Sequence, residues 1–228
     1  MKILIVIPAF NEAENIGNVI SDLKQHFPEG VPVIINDGSS DDTSSIGRSM
    51  GVRVIDLPFN LGIGGAVQTG LQIAASEGYD VAVQFDGDGQ HMAEEIEKII
   101  KPVSEGADFV SSSRFLDDSG YVMPVSRKMG SMVFSFVISM MCGQKLTDTT
   151  SGFRAFGRRA IDHFSNNYPE DYPEVEALII AHKRNLVIKE VSVKMRSRSE
   201  GVSSITPVRS VYYMVKVLLA IFIDLLKK

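Results

Sequence analysis

The 228-residue sequence predicts one α/β unit built on a mostly parallel sheet with helices on both faces. Three observations carry this expectation. The length and the ordinary globular composition suffice for one sizeable core. Short runs rich in Ile and Val alternate with segments of helical periodicity, as in strand-helix-strand units. The polar clusters of the first half all fall where an apolar run ends, which is where parallel sheets bind ligands.

Element by element, residues 3–8 form the first strand: one lysine and five apolar residues before Pro8 are too few for the apolar region of a signal peptide. Helical patterns at residues 12–26, 41–50, 64–77 and 93–104 then alternate with Ile/Val-rich strands at 31–35, 52–57, 81–85 and 109–111. After Arg114 the pattern changes to a loop, an apolar helix at Val125–Cys142 and a polar stretch at 143–152. Helices at Arg158–Phe164 and 174–184, a strand at 186–193, a basic Ser-rich loop at 196–207 and an apolar helix at 208–227 complete the reading. The change of pattern divides the chain into residues 1–114, expected to be the nucleotide-binding half, and 115–207, expected to meet the other substrate. No internal repeat or low-complexity segment interrupts this order.

The net charge of −5 hides an asymmetry, because ten Lys and Arg from Lys183 onward face only Glu190, Glu200 and Asp224, leaving −12 for residues 1–182. A basic end on an acidic body argues against general nucleic-acid binding and for an anionic partner, a phosphate or a membrane surface. A solvated charged face accounts for the charge equally well. Cys142, the single cysteine, excludes an intramolecular disulfide and reads as a packed, inert thiol. Nothing points to an oxidising compartment, and a cytoplasmic location is expected.

Four clusters carry chemistry. The strand at 81–85 runs into Asp86-Gly87-Asp88-Gly89-Gln90-His91, two carboxylates one residue apart, a hard-oxygen pair suited to a divalent cation clamped on a diphosphate. Taken alone, such Asp-Gly pairs are turns. The first strand ends in Pro8-Ala9-Phe10-Asn11-Glu12, where Asn11 alone reads as a helix cap. The second ends in Asn36-Asp37-Gly38-Ser39-Ser40-Asp41-Asp42-Thr43; capping explains Ser40 or Asp41, but Asp37 has no evident structural duty. The third runs into Asn60-Leu61-Gly62-Ile63-Gly64-Gly65-Ala66, where Gly62 and Gly64 let the backbone approach a phosphate. A dinucleotide fingerprint belongs after the first strand, so this loop is not one.

The order and spacing of these clusters resemble family 2 glycosyltransferases of the nucleotide-diphospho-sugar (GT-A) fold, over nearly the whole chain. Downstream, Ser113-Arg114-Phe115, Arg127, the stretch Asp148-Thr149-Thr150-Ser151-Gly152-Phe153-Arg154, and Arg198 with Gly201 and Ser203 resemble the dolichyl-phosphate mannosyltransferase and polyprenyl-phosphate glucosyltransferase branch. The resemblance implies that Asp37 reads the base, with Pro8, Asn11 and Glu12 lining the nucleotide pocket. It implies Asp86, Asp88 and Gln90 as holders of Mg²⁺ or Mn²⁺, with His91 either supporting or touching the site. Arg114, Arg127 and Arg198 then contact phosphates, and Ser151, Arg154 and Ser203 join Arg127 and Arg198 around an acceptor phosphate. The implied reaction is inverting transfer of a hexose from a nucleotide sugar to polyprenyl (undecaprenyl) phosphate, with UDP-glucose favoured as donor, then UDP-N-acetylglucosamine, then GDP-mannose. An ionised phosphate acceptor needs no base, so Glu174 and Glu176 read as structural or acceptor-loop residues. Transfer to a glycan hydroxyl would instead require a carboxylate base. A non-catalytic nucleotide-sugar-binding membrane scaffold is the alternative of another class.

Residues 208–228 place Val211, Met214, Val215, Leu218, Leu219, Phe222, Leu225 and Leu226 at helical spacing, with Lys216, Asp224 and Lys227 on a narrower polar face. A spanning helix wants about 20 mostly apolar residues, so an amphipathic helix in the interface is expected, with Tyr212, Tyr213, Lys227 and Lys228 at headgroup level. Residues 133–141 either dock likewise or pack in a core or oligomer contact. The protein is thus expected at the inner face of the cell membrane, peripherally, as a homo-oligomer or with a separate anchor protein.

Overall fold

The computed structural model describes residues 1–116, 125–170 and 172–196, with backbone alone at 125–131 and 133. The organising strand is β1 (Ile3–Ala9), buried at every position. Its side chains alternate with the period of two that a pleated strand imposes. Ile3, Ile5 and Ile7 join Ile16, Ile20 and Leu23 of α1 (Ile16–His26) and Ile96 and Ile99 of α4 (Ile96–Ser104) on one face. Leu4 and Val6 face the other way, into a core with Val67 and Leu71 of α3 (Gly62–Ser76), Phe164 of α6 (Arg158–Phe164) and Leu178 of α7 (Pro173–Lys183). Gly70 lets α3 lie close on β1, since a Cβ there would run into Val6.

The remaining strands are β2 (Val31–Asn36), β3 (Arg53–Asp56), β4 (Val81–Gln84), β5 (Phe109–Ser113), β6 (Arg154–Gly157) and β7 (Ile188–Ser192). They form a seven-stranded sheet in the order β3-β2-β1-β4-β6-β5-β7, parallel except for β6, which is antiparallel to both neighbours. The chain steps outward from β1 through β2 to β3, then returns to add β4 on the other side. That reversal makes a crevice beyond the carboxyl ends of β1 and its two neighbours.

Among the described residues the expected strands and helices are present, with four differences. β6 is an addition, because Arg154–Gly157 is a run of only four strand positions that opens on an arginine, too short and too polar to read as a strand. α1 starts at Ile16, four residues after the expected start, since Glu12 to Asn15 form a turn in which the Glu12 carbonyl accepts both the Asn15 and Ile16 N–H groups. α2 is shorter than expected, Thr43–Ser49, and residues Ala93–Glu95 make a 3-10 turn ahead of α4.

Helix α5 (Val125–Cys142) is two-faced. Phe134, Ile138 and Cys142 enter the α3 side core, whereas Met132, Phe136 and Met140, spaced four apart, are 62%, 66% and 70% exposed. Among the described residues no helix is long and apolar enough to cross a membrane. The stretch 208–227, with Arg198, Gly201, Ser203, Lys227 and Lys228, lies outside the described residues.

Candidate active site

The ends of β1, β2 and β4 open into a cleft of about 650 Å³. Pro8, Asn11, Glu12, Asp37, Gly62, Asp86 and Asp88 all line it, so residues from four separate sequence clusters share one cavity with Glu174 of α7. Gly64 does not line it; it is buried under the first turn of α3, where a Cβ would strike the backbone of Pro169 and Glu170.

Asp37 has a structural duty that the sequence does not reveal. Its carboxylate accepts the backbone N–H of Leu61 at 2.7 Å and of Gly62 at 2.9 Å, capping α3 from a neighbouring strand. Asn11 likewise does not cap α1. It occupies the left-handed region, φ 54°, and its Oδ1 accepts the Ser40 N–H at 2.9 Å while its own N–H donates to Ser39 Oγ at 2.9 Å. The β1 and β2 loops are thereby laced into one wall, where Glu12 N–H also donates to Thr43 Oγ1 at 2.9 Å.

Asp86 is half-buried and is held by its surroundings from three directions. Gln84 Nε2 donates to Oδ1 at 3.1 Å, and the Asp86 backbone N–H donates to His91 Nδ1 at 3.0 Å. That bond assigns the hydrogen of neutral His91 to Nε2, which faces Asp86 Oδ2 at 3.6 Å. His91 is buried, stacked on Phe153 at 4.6 Å and edge-on to Phe85 at 5.4 Å. Burial pulls the imidazole down to about 4, so the ring is uncharged near neutrality. The third contact is a close approach by Gly152, whose absent Cβ would sit 2.6 Å from Asp86 Oδ2.

This environment fits a divalent cation. Burial pushes the Asp86 carboxyl above the ordinary carboxylate range, against the Gln84 hydrogen bond and the Arg154 charge. The Arg154 charge offsets only part of that desolvation, and the contacting side chains, Gln84 and neutral His91, add no charge to it. Asp88 adds a second carboxylate two residues on, its Oδ1 accepting the Gln90 N–H at 3.0 Å. Among the described residues no three His, Cys, Asp or Glu side chains form a metal-binding group. Two carboxylates are what Mg²⁺ takes from a protein when phosphates and water complete its shell.

Arg114 forms a bidentate pair with buried Asp148, Nε to Oδ2 at 2.6 Å and Nη2 to Oδ1 at 2.9 Å, and Nη2 also reaches Thr150 Oγ1 at 2.9 Å. Asp148 is in turn placed by Glu190, a residue with no sequence signal. Its carboxylate accepts the N–H groups of Thr147 and Asp148, each at 2.8 Å, and the Thr147 hydroxyl at 3.0 Å. Burial raises the Glu190 carboxyl while those bonds and Thr147 oppose it. Ser151 is buried with Oγ 2.7 Å from Ser112 Oγ. Arg154 is fully buried and donates from Nε to Ser151 O at 2.9 Å, from Nη1 to Pro173 O at 3.2 Å and from Nη2 to Glu174 O. Its guanidinium therefore ties the Ser151 turn to the start of α7 and is not exposed. Arg127 belongs to α5.

A second, apolar groove of about 680 Å³ runs along α5, lined by Phe115, Phe136, Met140, Lys145 and Thr147 among others. Phe115 and Thr147 adjoin Arg114 and Asp148 in sequence, so this groove begins beside the arginine pair.

The comparisons agree with this geometry. The glycosyl transferase family 2 profile matches residues 4–164. A UDP-N-acetylglucosamine–dolichyl-phosphate N-acetylglucosaminyltransferase of Methanococcus voltae is 35% identical over 213 residues, 84% of each chain. An undecaprenyl-phosphate mannosyltransferase of Micrococcus luteus is 34% identical over 171 residues, 71% of this chain and 70% of that one. Among solved structures, glucosyl-3-phosphoglycerate synthase of Mycobacterium tuberculosis superposes with a TM-score of 0.73 at 20% identity, covering 98% of this chain and 79% of that one, a likeness of fold. With its sheet, its cleft and its relatives in agreement, the chain belongs to glycosyl transferase family 2, as a glycosyltransferase of the branch that includes dolichyl- and polyprenyl-phosphate transferases.

Proposed function

We propose that this protein is a divalent-metal-dependent inverting transferase that moves a hexose from a uridine diphosphate sugar to a polyprenyl phosphate. The observation that carries the reading is the convergence of Asp37, Asp86 and Asp88 in one cleft at the reversal of the sheet. Relatives named for dolichyl and undecaprenyl phosphate support the acceptor, and one named for UDP-N-acetylglucosamine supports that donor as the rival of UDP-glucose.

In this reading Asp37 and the Pro8–Glu12 wall take the nucleotide, and Asp86 and Asp88, with Gln90 beside them, hold Mg²⁺ or Mn²⁺. A bound cation offsets the charge that grows on the departing diphosphate. A phosphate oxygen of the acceptor attacks the anomeric carbon from the face opposite the diphosphate. The new carbon–oxygen bond forms as the old one breaks, and its electron pair leaves on the diphosphate. Arg114, locked by Asp148 and Thr150, presents a fixed charge with no reorganisation at the moment of transfer. Arg127, Arg198 and Ser203 are assigned to the acceptor phosphate. The acceptor is already ionised at neutral pH, so no side chain has to remove a proton.

Residues 1–114 then act as the donor half and 115–207 as the acceptor half. The exposed Met132, Phe136 and Met140 and the stretch 208–228 are assigned to the membrane surface where a polyprenyl acceptor resides.

One observation favours a second reading, transfer to a hydroxyl. Glu174 lines the cleft, and burial raises its carboxyl while the Arg154 charge opposes the shift, properties suited to a general base. A transfer assay separates the two. Undecaprenyl and dolichyl phosphates are offered in parallel with labelled UDP-glucose, UDP-N-acetylglucosamine and GDP-mannose, with Mn²⁺ or chelator, using wild type and Glu174→Gln. A chelator-sensitive lipid product made by both proteins supports the phosphate acceptor. Loss of product in Glu174→Gln, with transfer to a glycan extract by wild type, overturns it.

A further inference from the structure

The segment that leaves β7 is fastened at nearly every step. Val193 N–H donates to Ser113 O at 3.1 Å, Lys194 N–H to Glu95 Oε2 at 3.2 Å, and Arg196 N–H to Gln90 O at 2.9 Å. The Arg196 side chain then reaches Asp22 on α1, Nη2 to Oδ1 at 3.1 Å and Nη1 to Oδ2 at 3.3 Å. The same carboxylate accepts the Ala93 N–H at 3.0 Å and lies 3.1 Å from His26 Nδ1.

Asp22 therefore grips one turn at two points, Ala93 directly and Gln90 through Arg196. Between those points and the sheet lie Asp86 and Asp88, and the Gln90 N–H is itself bonded to Asp88 Oδ1. Asp22 does not line the cleft. Its side chain is only 9% exposed, and although burial raises its carboxyl, the Arg196 and Ala93 bonds hold it below the usual carboxylate range. An exposed ion pair contributes little and needs no such convergence of bonds.

We propose that Asp22, on α1 and outside the cleft, is a positioning residue for transfer: through Arg196 and Ala93 it holds the Asp88–Gln90 turn in register with the cleft. This rests on the function proposed above. Binding and turnover both depend on that turn, so loosening it misplaces the diphosphate without removing any group that touches it.

The test uses the full chain with Asp22→Ala, Asp22→Glu, Arg196→Gln and the Asp22→Ala/Arg196→Gln pair. Asp22→Ala is expected to speed hydrogen exchange at the Ala93 and Arg196 amides while leaving β1 amides unchanged. It is expected to lower kcat about tenfold, a scale set by the sensitivity of transfer to sub-ångström misplacement, with the melting temperature shifted by only a few degrees. Asp22→Glu should restore part of the rate, and the double variant should be no worse than the poorer single one. A kcat within twofold of wild type, a rate loss that only follows thermal stability, or strictly additive losses overturns the proposal. Calorimetric binding of UDP with Mn²⁺ separates this from failure of the functional reading. If wild type transfers no sugar, a roughly tenfold weaker UDP affinity in Asp22→Ala still supports the clamp, and an unchanged affinity refutes it.

Discussion

Replacing Gly152 by alanine tests how Asp86 is placed. The added Cβ would lie 2.6 Å from Asp86 Oδ2 and 3.1 Å from Gln84 Nε2, where ordinary contact begins at 3.4 Å. Something must therefore move by about 0.8 Å, the difference between 2.6 and 3.4 Å. The backbone beside Gly152 is poorly placed to yield, because Phe153 is buried against Phe85 and His91 and the Ser151 carbonyl is held by Arg154. The carboxylate is the freer partner and takes most of the shift. Overpacking of this kind costs about 1–3 kcal/mol, while an ångström of misplacement at a reacting centre costs on the order of 100-fold in rate. Gly152→Ala is thus expected to lose about 10- to 100-fold in kcat. Steady-state transfer and thermal melting are measured beside Ile99→Val, a buried substitution expected to cost about 0.5–1.5 kcal/mol with no effect on the cleft. A Gly152→Ala rate within threefold of wild type, or an equal rate loss in the Ile99→Val control, would refute the reasoning.

Arg114→Lys keeps the charge but cannot make the forked contact with Asp148, so a destabilisation of about 1–3 kcal/mol is expected in denaturant titration, with slower transfer; unchanged stability would mean that the fork contributes nothing. His91→Phe retains a ring against Phe153 but leaves the Asp86 N–H without its acceptor, which should cost about 1–3 kcal/mol and lower kcat; a fully active, equally stable variant would remove His91 from the support of Asp86. Burial pushes the Cys142 thiol up to about 11, so alkylation at pH 8 should proceed only after denaturation, and fast labelling of the native protein would contradict its placement in the core.

Much of this arrangement was legible in the sequence because the fold puts its chemistry in one kind of place. Pro8–Glu12, Asp37, Gly62 and Asp86–Asp88 each follow an apolar run, and parallel topology delivers all the strand ends to one edge. The features without a local sequence signal depend on partners far along the chain. The capping role of Asp37 is invisible without Leu61 and Gly62, and the Asp22 clamp joins residues 174 positions apart. Glu190 looks like one more exposed strand residue until the 147–148 turn closes on it. β6 was hidden by Arg154, whose charge is hydrogen-bonded inside the core rather than presented to a ligand. Its place in a motif that suggested phosphate contact gave no hint of burial. Helix α5 packs on one side only: Phe134 and Ile138 point inward while Phe136 and Met140 are exposed, a split that the uniformly apolar run at 133–141 does not display.

The central claim is that the nucleophile is a phosphate oxygen on a polyprenyl chain. It is tested most directly by offering the protein, with Mn²⁺ and UDP-N-acetylglucosamine or UDP-glucose, a polyprenyl phosphate and the matching unphosphorylated polyprenol, and weighing the lipid products by mass spectrometry. The account requires a product equal in mass to the phosphate lipid plus one sugar residue, formed only from the phosphorylated acceptor and abolished by chelator. Glycosylated polyprenol, or free sugar released from the donor with neither lipid modified, would contradict it.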